Sequence, residues 1–85
     1  MDNDINIGLG RRLRRRRRLL GLSQKKLGSA VGVRFQQIQK YECAANSMSA
    51  ARLWRLSKAL DVPITYFFDG LPDAVDPRDA ERAER

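Results

Sequence analysis

The 85-residue sequence holds no histidine and a single cysteine, Cys43. A disulfide within the chain is therefore impossible, and a Cys/His zinc site has too few ligands. Without histidine, and without paired carboxylates in an apolar setting, no general acid–base pair can be placed. An enzyme is not expected, nor is any cofactor or metal. Long hydrophobic runs are missing too. The longest is far too short to span a membrane, and acidic residues stand near the N-terminus where a secretory signal would carry basic ones. The expectation is a soluble, cytoplasmic protein without membrane attachment. No internal repeat is visible.

Acid is scarce where base is dense. The chain carries 17 Lys and Arg against 10 Asp and Glu, a formal charge of +7. Residues 1–70 hold 14 basic against 5 acidic side chains, whereas residues 71–85 hold 3 against 5. The positive charge is thus concentrated in one small domain with room for a single modest core. Its natural partner is a polyanion. Solubility alone is the bland alternative.

The chain is organised around Leu22 to Glu42, L-S-Q-K-K-L-G-S-A-V-G-V-R-F-Q-Q-I-Q-K-Y-E. Ser23 can cap a helix by accepting from a free backbone N–H. Leu22 and Leu27 have the spacing of a hydrophobic staple. Leu27, Ala30 and Val31 fall on one helical face. Gly32 stands where a left-handed residue would end that helix. A second helix follows, with Ile38 and Tyr41 inward and Arg34, Gln36, Gln37 and Lys40 around them. Helix, glycine turn and a helix with an amide-rich, basic outer face form the layout of a helix-turn-helix DNA reader, over about residues 23–42.

The rest of the chain reads as all-α. Residues 1–8 are polar apart from Ile5 and Ile7 and read as an N-terminal arm, ordered only if those two find a surface. A helix is expected over 9–20, with Leu9, Leu13 and Leu20 on one stripe. The missing member of that stripe is Arg17. A charge on the core face needs a partner, and Glu42 is the candidate. Within the run Arg11–Arg18, arginines point to several sides, so Arg11, Arg14 or Arg18 are expected to add diffuse attraction to DNA. Nuclear-localisation and membrane-surface readings of the run are weaker, because its apolar positions serve a core. Ser49 caps a helix over 50–60 whose inner stripe is Leu53, Leu56 and Leu60. Trp54 lies one step off it and either finishes the core or meets a second subunit. Asp61-Val62-Pro63 breaks that helix. Residues 64–68 read as a fifth helix, with Ile64 and Phe67 closing the core and Tyr66 and Phe68 available to a second subunit. Asp69-Gly70 stops it. Residues 71–85 read as a charged tail.

With these residues placed, the chain resembles the lambdoid phage repressor and Cro family, also called the XRE family. The resemblance runs from about Gly8 to Gly70. It rests on R-R-L-R-R-R-R-R-L-L-G-L-S-Q, L-G-S-A-V-G-V, I-Q-K-Y-E and S-A-A-R-L-W-R-L-S-K-A-L-D-V-P, in that order. It implies a five-helix bundle of the lambda-repressor type over residues 9–70. It also implies a homodimer that binds two-fold symmetric operators in double-stranded DNA and regulates transcription. Carried over by position, Gln24 anchors to a phosphate, and Arg34, Phe35, Gln36 and Lys40 approach base edges. Gln37 lies nearer the backbone, and the loop residues Asn46 and Ser47 contact phosphate. Arg17 and Glu42 match a structural ion pair, which the stripe had already required. The chemistry fits: Gln36 can pair with adenine, Arg34 can fork onto guanine, and Phe35 can touch a thymine methyl, each contributing about 1–3 kcal/mol of discrimination. No small-molecule ligand is evident.

The sequence departs from the family pattern in places. Arg34 stands where a Ser or Thr cap is common. Phe35, three residues before Ile38, either faces DNA or tucks inward. Ala44 and Ala45 replace a glycine and an often basic residue, and alanine is disfavoured in a left-handed conformation. Gly28 occupies the small-residue position where the two motif helices meet, at roughly 1 kcal/mol of helix propensity against alanine. Two other function classes remain: an antitoxin-like or scaffold protein that also holds a protein partner, and a non-specific nucleic-acid binder. The latter leaves the ordered face Arg34–Lys40 unexplained.

Overall fold

A computed structural model describes residues 3–71. Four α-helices and one 3₁₀ helix follow in order: α1 Asn3–Leu19, α2 Gln24–Val31, α3 Phe35–Glu42, α4 Ala50–Ala59 and the 3₁₀ helix Ile64–Phe68. Among the described residues there is no strand, and no helix is long and apolar enough to cross a membrane.

Two sequence expectations are corrected here. Helix α1 begins at Asn3, so residues 3–8 are helical and do not form an arm. Asp4 lies in the first turn, where its carboxylate accepts from the Ile5 N–H at 2.9 Å and favours the positive end of the helix dipole. Once the arginine-rich turns exist, adding residues upstream is cheap, because only nucleation is costly. The fifth helix is 3₁₀ rather than α. Five residues between Pro63 and Asp69, rich in β-branched and aromatic side chains of modest α-helix propensity, suit the tighter form that short pieces often take. The tail lies outside the described residues except for Leu71, which packs against the core.

The core gathers one stripe from each element. Leu9 and Leu13 of α1, Leu27 and Val31 of α2, Ile38 and Tyr41 of α3, Leu53 and Leu56 of α4, Leu60, and Phe67 of the 3₁₀ helix are all buried. Leu20 does not join them: α1 ends at Leu19, and the chain leaves through Gly21 at φ 69°, with Leu20 42% exposed. Ala30 is also exposed, because the short α2 turns only Leu27, Gly28 and Val31 inward. Ser57 is buried between the leucines and satisfies its hydroxyl by donating to the Trp54 carbonyl at 2.6 Å.

Helix ends follow the local chemistry. Ser23 accepts from the Lys26 N–H and Ser49 from the Arg52 N–H, both at 3.0 Å. Arg34 begins α3 without a side-chain cap. Gly32 ends α2 at φ 76°. The corresponding position after α3 is Ala44 at φ 61°. There the N–H of Ala45 closes onto the Lys40 carbonyl at 2.9 Å, which satisfies an end carbonyl of α3 at the expense of the alanine backbone.

Three arginines of the basic run are spent inside the fold. Arg12 lies over the Tyr66 ring, 5.5 Å from its centroid, and Tyr66 donates its hydroxyl to the Arg12 carbonyl at 3.0 Å. Arg16 donates to the Leu60 carbonyl at 2.9 Å, capping the C-terminus of α4. Arg17 joins α1 to α3, as described next.

Candidate nucleic-acid interface

Helices α2 and α3 are joined by the three residues Gly32, Val33 and Arg34. The Val33 N–H returns to the Gly28 carbonyl at 2.9 Å, which folds the turn tightly. Gly28 makes this possible. A Cβ there would stand 2.6 Å from the Val33 carbonyl oxygen, closer than real Cβ atoms come.

Ile38 and Tyr41 anchor α3 from beneath. Other positions of α3 are presented to solvent: Phe35, Gln36, Gln39 and Lys40 are exposed, Gln37 is half-buried at the edge, and the N-cap residue Arg34 is exposed at the start of the helix. Phe35 is 44% exposed, so its ring faces outward beside Gln36. The face combines a guanidinium, an ammonium, two amides and one apolar ring on two turns of helix. Those are the groups that can read base edges in a major groove. Gln39 was not singled out from the sequence. Its signal was the 3.6-residue period, which puts it on the outer side once Ile38 and Tyr41 are inward.

The residues expected at phosphates are placed around this face. Gln24 begins α2, and its amide donates to Glu42 Oε1 at 3.2 Å. Asn46, exposed, approaches Gln37 with its amide donating to Oε1 at 3.5 Å. Ser47 accepts from the Asn6 side chain at 3.2 Å, which links the loop after α3 to the first turns of α1. Gln24 is thus joined to the last residue of α3, and Asn46 to Gln37 at its edge.

Arg17 holds this side together. Its Nε donates to Glu42 Oε2 at 2.6 Å and its Nη2 to Oε1 at 3.0 Å, a two-pronged pair of the strong, geometrically specific kind. The remaining Nη1 donates to the Leu22 carbonyl at 2.8 Å. Every hydrogen-bonding side of the pair is filled, and no buried side-chain nitrogen or oxygen among the described residues lacks a partner. The Glu42 charge is neutralised in place, so the groove lined by Arg14, Arg18, Gln24 and Gln39 is left net positive.

Two further residues support the site without having been singled out for it. Arg52 of α4 donates to the Val31 carbonyl at 2.8 Å, closing the C-terminal end of α2. Gly10 of α1 lets that helix approach the end of α3. A Cβ there would lie 2.8 Å from the Glu42 carbonyl oxygen and nearer still to that of Tyr41. The aromatic residues considered for a second subunit divide. Trp54 is 53% exposed, with the Lys58 ammonium 4.3 Å from its ring centroid. Phe68 is exposed. Tyr66 is half-buried against the core and engaged with Arg12. Among the described residues no group of three or more His, Cys, Asp or Glu is placed to hold a metal ion.

Comparison with known proteins agrees with this geometry. The family model described as helix-turn-helix matches residues 13–67. An uncharacterized HTH-type transcriptional regulator of Sinorhizobium medicae is 50% identical over 70 residues, covering 82% of this chain and 50% of the relative. An uncharacterized transcriptional regulator in the ATPase CF(0) region of Rhodospirillum rubrum is 50% identical over 74 residues, covering 87% of this chain and 68% of the relative. The chain thus spans about half the length of several curated relatives it matches. Among solved structures, the P22 c2 repressor in complex with a synthetic operator superposes with a TM-score of 0.68 at 35% identity, covering 73% of this chain and 94% of that one. The restriction-modification controller protein C.AhdI from Aeromonas hydrophila gives 0.72 at 28% identity, covering 74% and 96%. On sequence, on fold and on the disposition of α2 and α3, the chain belongs to the XRE-type helix-turn-helix family.

Proposed function

We propose that this protein is a cytoplasmic, sequence-specific regulator of transcription that reads a two-fold symmetric operator in double-stranded DNA as a homodimer. One observation carries the reading: α3 buries Ile38 and Tyr41 and leaves Phe35, Gln36 and Lys40 exposed, with the exposed N-cap residue Arg34 at its start. A helix so seated can enter a major groove with its polar face leading. In this role Arg34, Phe35, Gln36 and Lys40 read bases, while Gln24, Gln37, Asn46 and Ser47 hold phosphates. Gln24 is oriented for its task by Glu42, and Phe35 offers an apolar contact to a thymine methyl. The relatives named as transcriptional regulators and the operator-bound P22 c2 repressor support the same reading. Exposed Trp54 and Phe68 are the residues proposed to meet a second copy. Tyr66, engaged within its own chain, serves the fold instead.

Selection of bound duplexes from a random DNA pool, followed by sedimentation of the enriched complex, tests this. The expected result is an inverted repeat with half-sites about one helical turn apart, bound by two chains. Enrichment of no motif, with binding that fades uniformly with salt, would sink the proposal and leave non-specific electrostatics alone.

A further inference from the structure

The basic run of α1 is divided by the fold. Arg12, Arg16 and Arg17 are each held by a ring, a carbonyl or a carboxylate. Arg11, Arg14, Arg15 and Arg18 are exposed, and among the described residues no hydrogen bond or salt bridge engages their side chains. These four recur at steps of three, one and three, so they form one stripe on the helix. They line a single open surface beside Leu19. Like charges at such spacings weaken a helix, so the stripe works against α1 unless an anion meets it. Its lower members, Arg14 and Arg18, also line the groove shared with Gln24 and Gln39. The stripe is therefore continuous with the α2–α3 face, and the one carboxylate in that groove, Glu42, is already neutralised by Arg17.

We propose that this stripe is a second phosphate-binding surface, which seats the DNA strand bordering the major groove that α3 enters. The inference rests on the DNA-binding reading above and adds a set of fixed backbone contacts from α1 to it. From Arg11 to Arg18 the stripe rises about 10 Å along the helix, close to three phosphate steps of one strand at 3.4 Å each along the duplex axis. Arginine forks suit phosphate oxygens, and such contacts fix register without reading sequence.

The test is the salt dependence of binding by R14Q/R18Q, combined with single neutral methylphosphonates placed along the bound duplex. Each lost phosphate contact lowers the slope of log affinity against log salt by about 0.9, so the double variant is expected to fall short of wild type by about 2. Particular phosphates should exist whose neutralisation weakens wild type and leaves R14Q/R18Q unaffected. R14K/R18K should recover most of the slope. Thermal unfolding of R14Q/R18Q should lie at or slightly above wild type, since like-charge repulsion along α1 is relieved, whereas R12Q and R16Q should melt lower and keep the full slope. An unchanged slope, or no phosphate that distinguishes the variant, would overturn the proposal. So would displacement of the DNA by duplex RNA or anionic vesicles with the same dependence on Arg14 and Arg18. The slope difference is expected on a scrambled duplex too, so failure of sequence-specific reading would register separately from failure of the stripe.

Discussion

Arg17 and Glu42 meet at 2.6 Å with both side chains almost withdrawn from water, although 24 residues lie between them in the sequence. Breaking such a pair from one side strands the other charge, at about 3–5 kcal/mol. Arg17→Met is therefore expected to lower the melting temperature by more than 10 °C, taking about 4–8 °C per kcal/mol for a domain of this size. Arg17→Met/Glu42→Leu should recover a large part of the loss, since no lone charge remains. An unchanged melting temperature in the single variant would show that the pair contributes nothing to stability.

Ala44 occupies the left-handed region at φ 61°. Ala44→Gly should stabilise the protein by about 0.5–1 kcal/mol, the relief of the Cβ clash less the added freedom of the unfolded chain. Asp61 has φ 55°, but aspartate tolerates this region better. Asp61→Gly should therefore gain less. Urea unfolding of the two variants side by side checks the order.

At Gly10 the interface between α1 and α3 has no room for a methyl group, because backbone oxygens of Tyr41 and Glu42 stand in the way. Gly10→Ala is expected to destabilise by about 1–3 kcal/mol through overpacking, outweighing its gain in helix propensity. A melting temperature at or above wild type would mean that α1 can shift aside without penalty.

Gln36 is exposed on α3, and among the described residues its side chain holds no hydrogen bond. Gln36→Ala should leave thermal unfolding unchanged and relax one base position of each half-site by about 1–3 kcal/mol. Competition between the enriched duplex and versions altered at single positions measures this. Uniform weakening at every position would instead make Gln36 a backbone contact.

For the proposed homodimer, Trp54→Ser and Phe68→Ser separate two exposed surfaces. Aromatic anchors dominate interfaces when they are central. At least one of the two variants should raise the dimer dissociation constant tenfold or more in sedimentation equilibrium, about 1.4 kcal/mol. If both dimerise as wild type does, the contact lies elsewhere.

The parts of this structure governed by nearby residues were legible in the sequence. Ser23, Ser49 and Gly32 act within one turn of themselves, and the inward positions Leu13, Leu27, Ile38, Leu56 and Leu60 follow from helical period alone. The start of α1 was not legible, because residues 3–8 are polar apart from Ile5 and Ile7, Ile5 stays exposed, and the turn depends on a helix nucleated further on. Nor could the sequence distinguish among the adjacent arginines. Arg12 and Arg16 each stand three residues beyond a core leucine, unlike Arg15, but their partners Tyr66 and Leu60 lie too far along the chain to be read from spacing. Arg17 was the exception, because it replaced a leucine in a countable stripe. Gly10 and Arg52 escaped for the same reason as Arg16: each acts on backbone atoms more than twenty residues away.

The hydrogen bond from Arg52 to the Val31 carbonyl has a bearing on engineering. It closes α2 from α4, just as Arg17 discharges Glu42 from α1. The segment 23–42 is consequently no portable cassette. Transplanted into a foreign host, it would arrive with an uncompensated carboxylate at one end of the recognition helix and an open carbonyl at the end of its companion. A chimera built to test the proposed reading by α3 should keep the recipient's own equivalents of Arg17 and Arg52 and exchange only the outward side chains of α3.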